Sequence, residues 1–315
     1  MDPNLLQWRQ LGQSFVHRLQ TWVSVLDPSL LLSSDPEIVK AHDALLAGGQ
    51  QLSEKEEAAV ILSLSSVHAD SGSVIPLAFR PPAYFPVLGP LVVCSFLPHN
   101  VVRHALFLQF LLQSYNAGFN FVNRNCSAEQ GKKASLKQLL LVSGTILNTT
   151  IAGALPQIFI TSFSLSSPLM LTLCRSFLPV PLSASLAAFS VFTIRSEESV
   201  TGIQLFDQSG NPIGFSRAAG DKAVRETALS RAVLFGTTAA VPNLLVLLLR
   251  RTRWFRRTPL LLTPCYYLST GLVLSMMVPL SFSLFPQLGS IRREQVEEEL
   301  LAGAAGEEFF FHRGL

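Results

Sequence analysis

Charge is scarce in this chain and unevenly placed: 14% of its 315 residues are Asp, Glu, Lys or Arg, where a soluble domain carries roughly 25%. Long blocks have none, which argues against a water-soluble fold. Cysteine is sparse too. The four present, Cys94, Cys126, Cys174 and Cys265, lie far apart and form no CxxC pair, so neither a zinc ribbon nor a thioredoxin-type centre is expected. Cys94, Cys174 and Cys265 read as small apolar packing residues. The histidines are scattered, and His99 and His104 stand five apart, which does not set two ligands on one helix face. No metal and no cofactor is implied. The patterns GxGxxG, GxxxxGK[ST] and GxSxG are missing, which removes the usual support for nucleotide binding and for hydrolase chemistry. No residue cluster supports a membrane enzyme. The net charge is only +3, with no basic stripe interleaved with aromatics, so nucleic acid is not an expected partner. No secretory signal is read at the N-terminus. With only Arg9 and Arg18 in the first helix-like stretch, any mitochondrial import signal is expected to be internal.

What is abundant is apolar sequence, 49% of the chain. A spanning helix needs about 20 mainly apolar residues, and lipid leaves backbone groups no partner but each other, which favours helices. Charge-free blocks predict five spans, near 83–98, 139–160, 176–194, 232–249 and 262–285. A further helix, 105–122, is uncharged but carries Gln and Asn, and is expected as a sixth span or a re-entrant helix. The predicted fold is an all-α polytopic membrane helix bundle. Residues 1–80 form a soluble or interfacial helical segment, 81–290 the transmembrane region with a polar loop at 195–231, and 291–315 a C-terminal tail.

In the N-terminal segment Leu5, Trp8, Leu11, Phe15, Leu19, Trp22 and Leu26 recur at three- and four-residue steps, one apolar helix face that stops at Asp27-Pro28. It packs against the rest of the protein or lies on the membrane surface. Residues 53–67 read as a second helix, with Glu54, Glu56 and Glu57 near its positive end. In the polar loop, 202–206 and 213–215 are extended flanks around a turn, Asp207-Gln208-Ser209-Gly210-Asn211. The loop then turns helical, with Asp221 and Arg225, and Lys222 and Glu226, spaced four apart. Two basic loops, around Arg124, Lys132, Lys133 and Lys137 and around Arg250, Arg251, Arg253, Arg256 and Arg257, fall on opposite sides of the bilayer with five spans or six. The positive-inside rule therefore cancels.

One pattern inside the apolar region points to function. Gln109, Gln113, Asn116, Asn120 and Asn123 fall at steps of 4, 3, 4 and 3, so a helix gathers them on one face. Amides facing lipid are costly, so this face points at protein or at a wet cavity. Because amides donate and accept, they suit a small polar or zwitterionic solute without holding it permanently. They serve as a substrate path or as helix-packing glue. Pro156, Pro242 and Pro279 are candidate kinks, and Asn243 directly after Pro242 is grouped with them. Such breaks free carbonyls that can line a site.

Several segments together resemble the sideroflexin family of mitochondrial inner-membrane proteins. The run from Gln109-Phe110-Leu111-Leu112-Gln113-Ser114 through Tyr115-Asn116-Ala117-Gly118-Phe119-Asn120 to Phe121-Val122-Asn123-Arg124 is similar to the family's QW-x-x-Q-S-[FY]-N-A-x-x-N-[YF]-x-N-R stretch. His68-Ala69-Asp70-Ser71-Gly72-Ser73 resembles its HPDTGE loop, with Ala69 and Ser73 replacing Pro and Glu. The segment 202–214, Leu284-Phe285-Pro286-Gln287 and the ending Phe311-His312-Arg313-Gly314-Leu315 match further motifs in order. Where the family carries N-C-I-N-I-P, this chain reads Phe189-Ser190-Val191-Phe192-Thr193-Ile194, without either asparagine or the proline. That change, with Ala223-Val224-Arg225-Glu226-Thr227 and the ending, resembles a divergent branch. The family resemblance implies transport of small amino acids, serine above all, into mitochondria. The branch implies a role in assembling respiratory complex I, with assembly factors as partners and effects on iron and iron–sulfur homeostasis.

Overall fold

The computed structural model describes residues 2–11, 14–46, 54–96, 101–126, 135–162, 167–301 and 306–315. Helices dominate: α1 (Pro3–Leu11), α2 (Phe15–Val25), α3 (Asp35–Leu46), α4 (Glu54–Ser66), α5 (Tyr84–Ser95), α6 (Val102–Val122) and α7 (Leu136–Ser162). They continue with α8 (Pro168–Thr172), a π turn (Leu173–Phe177), α9 (Pro179–Ile194), α10 (Ser196–Thr201), α11 (Arg217–Leu249), α12 (Arg253–Arg257), α13 (Leu262–Ser283) and α14 (Glu298–Leu301). Among the described residues, four helical stretches are long and apolar enough to cross a membrane: Leu136–Ser162, Pro168–Ile194, Arg217–Leu249 and Pro259–Ser283. Only 17–28% of each apolar window is buried within the protein. The rest, including Leu140, Leu147, Leu244, Leu268 and Leu272, is exposed apolar surface far beyond what a water-soluble monomer tolerates. The chain is a multi-pass membrane protein.

The remaining expected span, 83–98, corresponds to the shorter apolar helix Pro81–Ser95. Its last residues lie outside the described ones, as do Lys132 and Lys133 of the first basic loop, Ser53, His99 and part of the break after α7. The amide-bearing α6 is a continuous helix of 21 residues. At 1.5 Å per residue its reach is about 31 Å, close to bilayer thickness.

Contacts between helices make their neighbours antiparallel: Tyr84 and Phe96 of the α5 stretch meet Phe282 and Tyr266 of α13, and Ser183 and Arg195 meet Phe235 and Thr227 of α11. The ends of α7 and α11, the starts of α8 and α13 and the end of α5 therefore share one side. The ends of α6, α9 and α13 share the other. In the α8–α9 stretch the helix opens into a π turn, with the Leu178 amide donating to the Leu173 carbonyl at 2.9 Å. Pro179 follows immediately and has no N–H for the Arg175 carbonyl, and its ring crowds that carbonyl, so the helix widens there.

The expectation of an all-α fold needs correction. A four-stranded antiparallel sheet, of order β2-β1-β4-β3, joins β1 (Ile203–Phe206) and β2 (Pro212–Ser216) to β3 (Leu288–Arg292) and β4 (Glu308–His312). The β1–β2 hairpin is the extended-flank turn read in the sequence. Its Asp207 carboxylate accepts from the Asn211 backbone and side chain, and Gly210 takes φ +85. The C-terminal strands complete it by pairings such as Leu205 with Phe311 and Gly289 with Phe311. Ile203, Leu205, Ile291, Phe309 and Phe311 are packed against Ala219 and Ala223 at the start of α11. That half of α11 uses small residues because α10 lies against it: a Cβ on Gly220 would overlap the Glu198 carbonyl. Lys222, spaced to pair with Glu226, donates instead to the Ser290 carbonyl at 2.6 Å.

The N-terminal apolar face is split between α1 and α2 and packs against the protein. Trp8 and Trp22 stand 5.1 Å apart, and Trp22 lies 5.0 Å from Phe282 of α13. Arg18 donates to the Ser283 carbonyl at 2.9 Å, a cation on the negative end of α13. These contacts seat the N-terminal body on the side of the bundle where α6, α9 and α13 end.

Candidate functional site

Between α5, α6, α7, α9, α11 and α13 lies a cavity of about 350 Å³. Four of the five expected amides line it: Gln109, Gln113, Asn116 and Asn120. The fifth, Asn123, sits past the end of the cavity. It is buried and donates to the carbonyls of Phe79 and Phe119, both at 3.0 Å, tying α6 to the turn before α5. Within the cavity Gln113 donates to Gln109 at 3.3 Å, and the Tyr84 hydroxyl donates to the Asn116 carbonyl oxygen at 3.3 Å. Gln109 has room because residue 153 is glycine: a Cβ there would stand 2.5 Å from its Oε1.

Of the kink candidates, Pro156 and Asn243 line the cavity. Pro156 leaves the Ala152 carbonyl of α7 without its helical partner, and buried Pro242 does the same to Thr238, which is also in the lining. Asn243 donates back to the Ala239 carbonyl at 2.8 Å. Pro279 lies within α13, away from the lining residues.

Among the described residues the charged part of the lining is all of one sign, Arg175, Arg231 and Arg250, with no Asp or Glu. Arg175 and Arg250 are exposed and sit on the side where α11 ends, so the cavity opens there. Arg231 is 2% exposed and marks the opposite, closed end. Nineteen residues of α11 separate it from Arg250, which at 1.5 Å each is about 28 Å, nearly the hydrocarbon thickness. The Arg231 guanidinium lies over three rings, 4.3 Å from the Phe282 centroid, 5.4 Å from Tyr84 and 5.6 Å from Phe119. Its Nε and Nη1 are buried and have no hydrogen-bond partner among the described residues.

Beyond this aromatic layer the C-terminus is built into the protein. Arg195 is fully buried and grips Glu198 with two bonds, Nε to Oε1 at 2.5 Å and Nη2 to Oε2 at 2.7 Å. Arg195 also donates to the Arg313 carbonyl at 2.6 Å and to Thr227 at 2.9 Å. Asn125 donates to Glu198 and to the His312 carbonyl. Gln287 donates to the Gly314 carbonyl, and the Leu315 amide donates to the Asn123 carbonyl. Gly314 has φ +71, and a Cβ there would stand 2.8 Å from Arg195 Nη2, so the penultimate residue must lack a side chain.

Two histidines complete the network. His68 Nδ1 faces the backbone N–H groups of Asp70 and Ser71, so it accepts, and Nε2 donates to the Arg124 carbonyl at 2.9 Å. That is a neutral tautomer. Burial holds His68 below the ordinary imidazole value, against the opposing pull of Asp70. Burial pushes His312 well below it, helped by His68, Arg195 and Arg313.

The sequence pattern gathers the amides on one helix face but assigns no role to Arg175, Arg195 or Arg231. The signal was in view: Arg175 and Arg195 bound one block, and Arg231 and Arg250 bound the next. Those same residues are the mouth, the buried lock and the closed end.

The family model describing sideroflexins matches residues 4–315. Sideroflexin-4 from Danio rerio is 49% identical, over all of both chains. Sideroflexin-4 from Homo sapiens is 35% identical over all of this chain and 93% of its own length. Sideroflexin-5 from Homo sapiens is 27% identical over 96% of this chain and 90% of its own length. No solved structure matches.

Proposed function

Since the chain belongs to the sideroflexin family, we propose that it carries a small polar solute across the mitochondrial inner membrane through the amide-lined cavity. Membership makes it a membrane protein of transporter type rather than an enzyme. The observation that carries the proposal is the cavity itself. Gln109, Gln113, Asn116 and Asn120 gather on one wall of a space that runs between membrane helices from exposed Arg250 to buried Arg231. Amides used only as glue would be saturated by neighbouring helices. These instead border empty volume sized for a small solute. In this reading α5 and α6 complete the bundle, with α5 a fifth span and α6 a sixth or a re-entrant helix. Pro156 and Pro242 supply the freed carbonyls, and serine-like amino acids are the solutes to try first.

Purified full-length protein in liposomes tests this. Radiolabelled serine and glycine should accumulate against empty vesicles, and Asn116→Leu with Asn120→Leu should abolish uptake while the protein still folds. Uptake unchanged in a folded double variant refutes the amide path.

A second reading, assembly of respiratory complex I through partner contacts, is supported by a different surface. In the N-terminal body Phe15, Val16, Val23 and Leu32 are exposed, Leu32 by 89%. Val16→Asp with Val23→Asp should strip co-purifying assembly factors and leave solute uptake intact. Effects on iron and iron–sulfur homeostasis would follow indirectly from that role.

A further inference from the structure

Arg231 is out of place as a structural residue. A cation removed from water normally sits against a carboxylate or satisfies its donors on carbonyls, because the loss of hydration is otherwise uncompensated. Arg231 has neither at Nε or Nη1. The buried carboxylate of Glu198 is held by Arg195 and Asn125. Three ring faces return part of the lost hydration. They leave Nε and Nη1 without a hydrogen-bond partner among the described residues, at the buried end of the cavity.

The rest of the lining has the same bias. Arg175 and Arg250 stand at the mouth, and the described lining residues include no acidic side chain. A cavity with one sign of charge draws in solutes of the other. An ammonium group would find amide oxygens, freed carbonyls and hydroxyls such as Ser190 and Thr238 but no carboxylate in the described lining, whereas a carboxylate would find a guanidinium with two open donors and the amide N–H groups of α6.

We propose that Arg231 is the docking group for the carboxylate of the solute, and that the cavity therefore favours small organic anions over zwitterions of the same size. This rests on the carrier reading and deepens it. A carboxylate arriving from the mouth would pass the amide wall and stop at Arg231. Its charge would complete the ion pair that the empty protein lacks, and Tyr84, Phe119 and Phe282 would close the far side behind it. Arg is suited to this because its planar donors match carboxylate oxygens and it stacks on aromatic faces at the same time.

The test uses serine and glycerate, which differ in carrying an ammonium or a hydroxyl on the same carbon. Equilibrium binding of radiolabelled glycerate and serine is measured on the full chain in nanodiscs, with glyceramide, the uncharged carboxamide of glycerate, as competitor. Wild type should bind glycerate more tightly than serine, and glyceramide should compete poorly. Arg231→Gln should weaken glycerate binding roughly tenfold or more, the expected loss of a charge-assisted contact, and Arg231→Lys should restore part of it. Arg231→Met replaces a buried cation by an apolar chain, so its thermal stability should be equal or higher while binding is lost. Glyceramide competing as well as glycerate overturns the proposal on wild-type protein alone. Unchanged glycerate binding in a folded Arg231→Gln or Arg231→Met variant overturns it too. Serine uptake without glycerate binding removes the anion preference and leaves the carrier reading standing. Absence of binding and of uptake for both solutes removes both.

Discussion

Replacing Arg195 should unfold the protein from the side opposite the cavity mouth. The side chains of Arg195 and Glu198 are 0% and 3% exposed and joined by two short bonds. Arg195→Met leaves the Glu198 carboxylate with Asn125 alone and frees Thr227 and the Arg313 carbonyl. Breaking a buried pair on one side costs about 3–5 kcal/mol, because the surviving charge is stranded. For a chain of this size roughly 1.5–2 °C of Tm accompanies each kcal/mol, so a fall of about 5–10 °C is expected. Glu198→Leu alone should cost a similar amount. The double variant Arg195→Met with Glu198→Leu strands neither charge and should lose only about 1–2 kcal/mol, a coupling well outside additivity. Thermal unfolding in detergent with a thiol-reactive dye reads this directly, because Cys174 is a buried thiol that unfolding exposes. Single variants within about 1 °C of wild type, or a double variant as unstable as the sum of the singles, would refute the stranded-charge argument.

Stability should fall in mild acid. His68 and His312 sit below the ordinary value of 6.5 when folded, so the unfolded chain takes up protons first. Their contribution is complete above 6.5 and is lost as pH drops below it, at about 1.4 kcal/mol per pH unit for each group. A Tm that stays flat from neutral pH down to pH 5 contradicts this. Gly153→Ala should push Gln109 out of its place and lower solute uptake severalfold with little change in Tm, since Gln109 is flexible; an unchanged uptake rate counts against Gln109 as part of the path. Gly220→Ala should abolish folding, because α10 and α11 touch by backbone there, and recovery of a monodisperse protein with wild-type Tm would show that the helices can separate. Pro156→Ala should restore the bond to the Ala152 carbonyl, leaving Tm equal or raised and uptake reduced. Unaltered uptake would make that kink a packing feature only.

The membrane helices were legible because a charge-free block of spanning length admits few other structures, and α7, α9, α11 and α13 follow those blocks closely. The amide face was legible from spacing alone, since a helical repeat must gather Gln109, Gln113, Asn116 and Asn120 together. The hairpin turn at Asp207 was legible because its chemistry is local. The rest of the sheet was not. β4 is short, its partner β1 lies about a hundred residues earlier, and nothing within Glu308–His312 announces that pairing. The tail motif was recognisable as a motif, but its physical reason appears only when Gly314 is found against Arg195. Arg231 was hidden for a simpler reason. An arginine bounding an apolar block usually marks the membrane interface, and only the packing of Tyr84, Phe119 and Phe282 turns that boundary into a buried layer.

A carrier of this design needs a water-filled solute site reached from the Arg175 and Arg250 side. Gln113→Cys, in a chain with its native cysteines replaced by alanine, measures this in sealed vesicles with a membrane-impermeant methanethiosulfonate. Modification should proceed from that one side and slow severalfold when serine or glycerate is present. A cysteine at this position that never reacts, or that reacts at the same rate with or without solute, would contradict it.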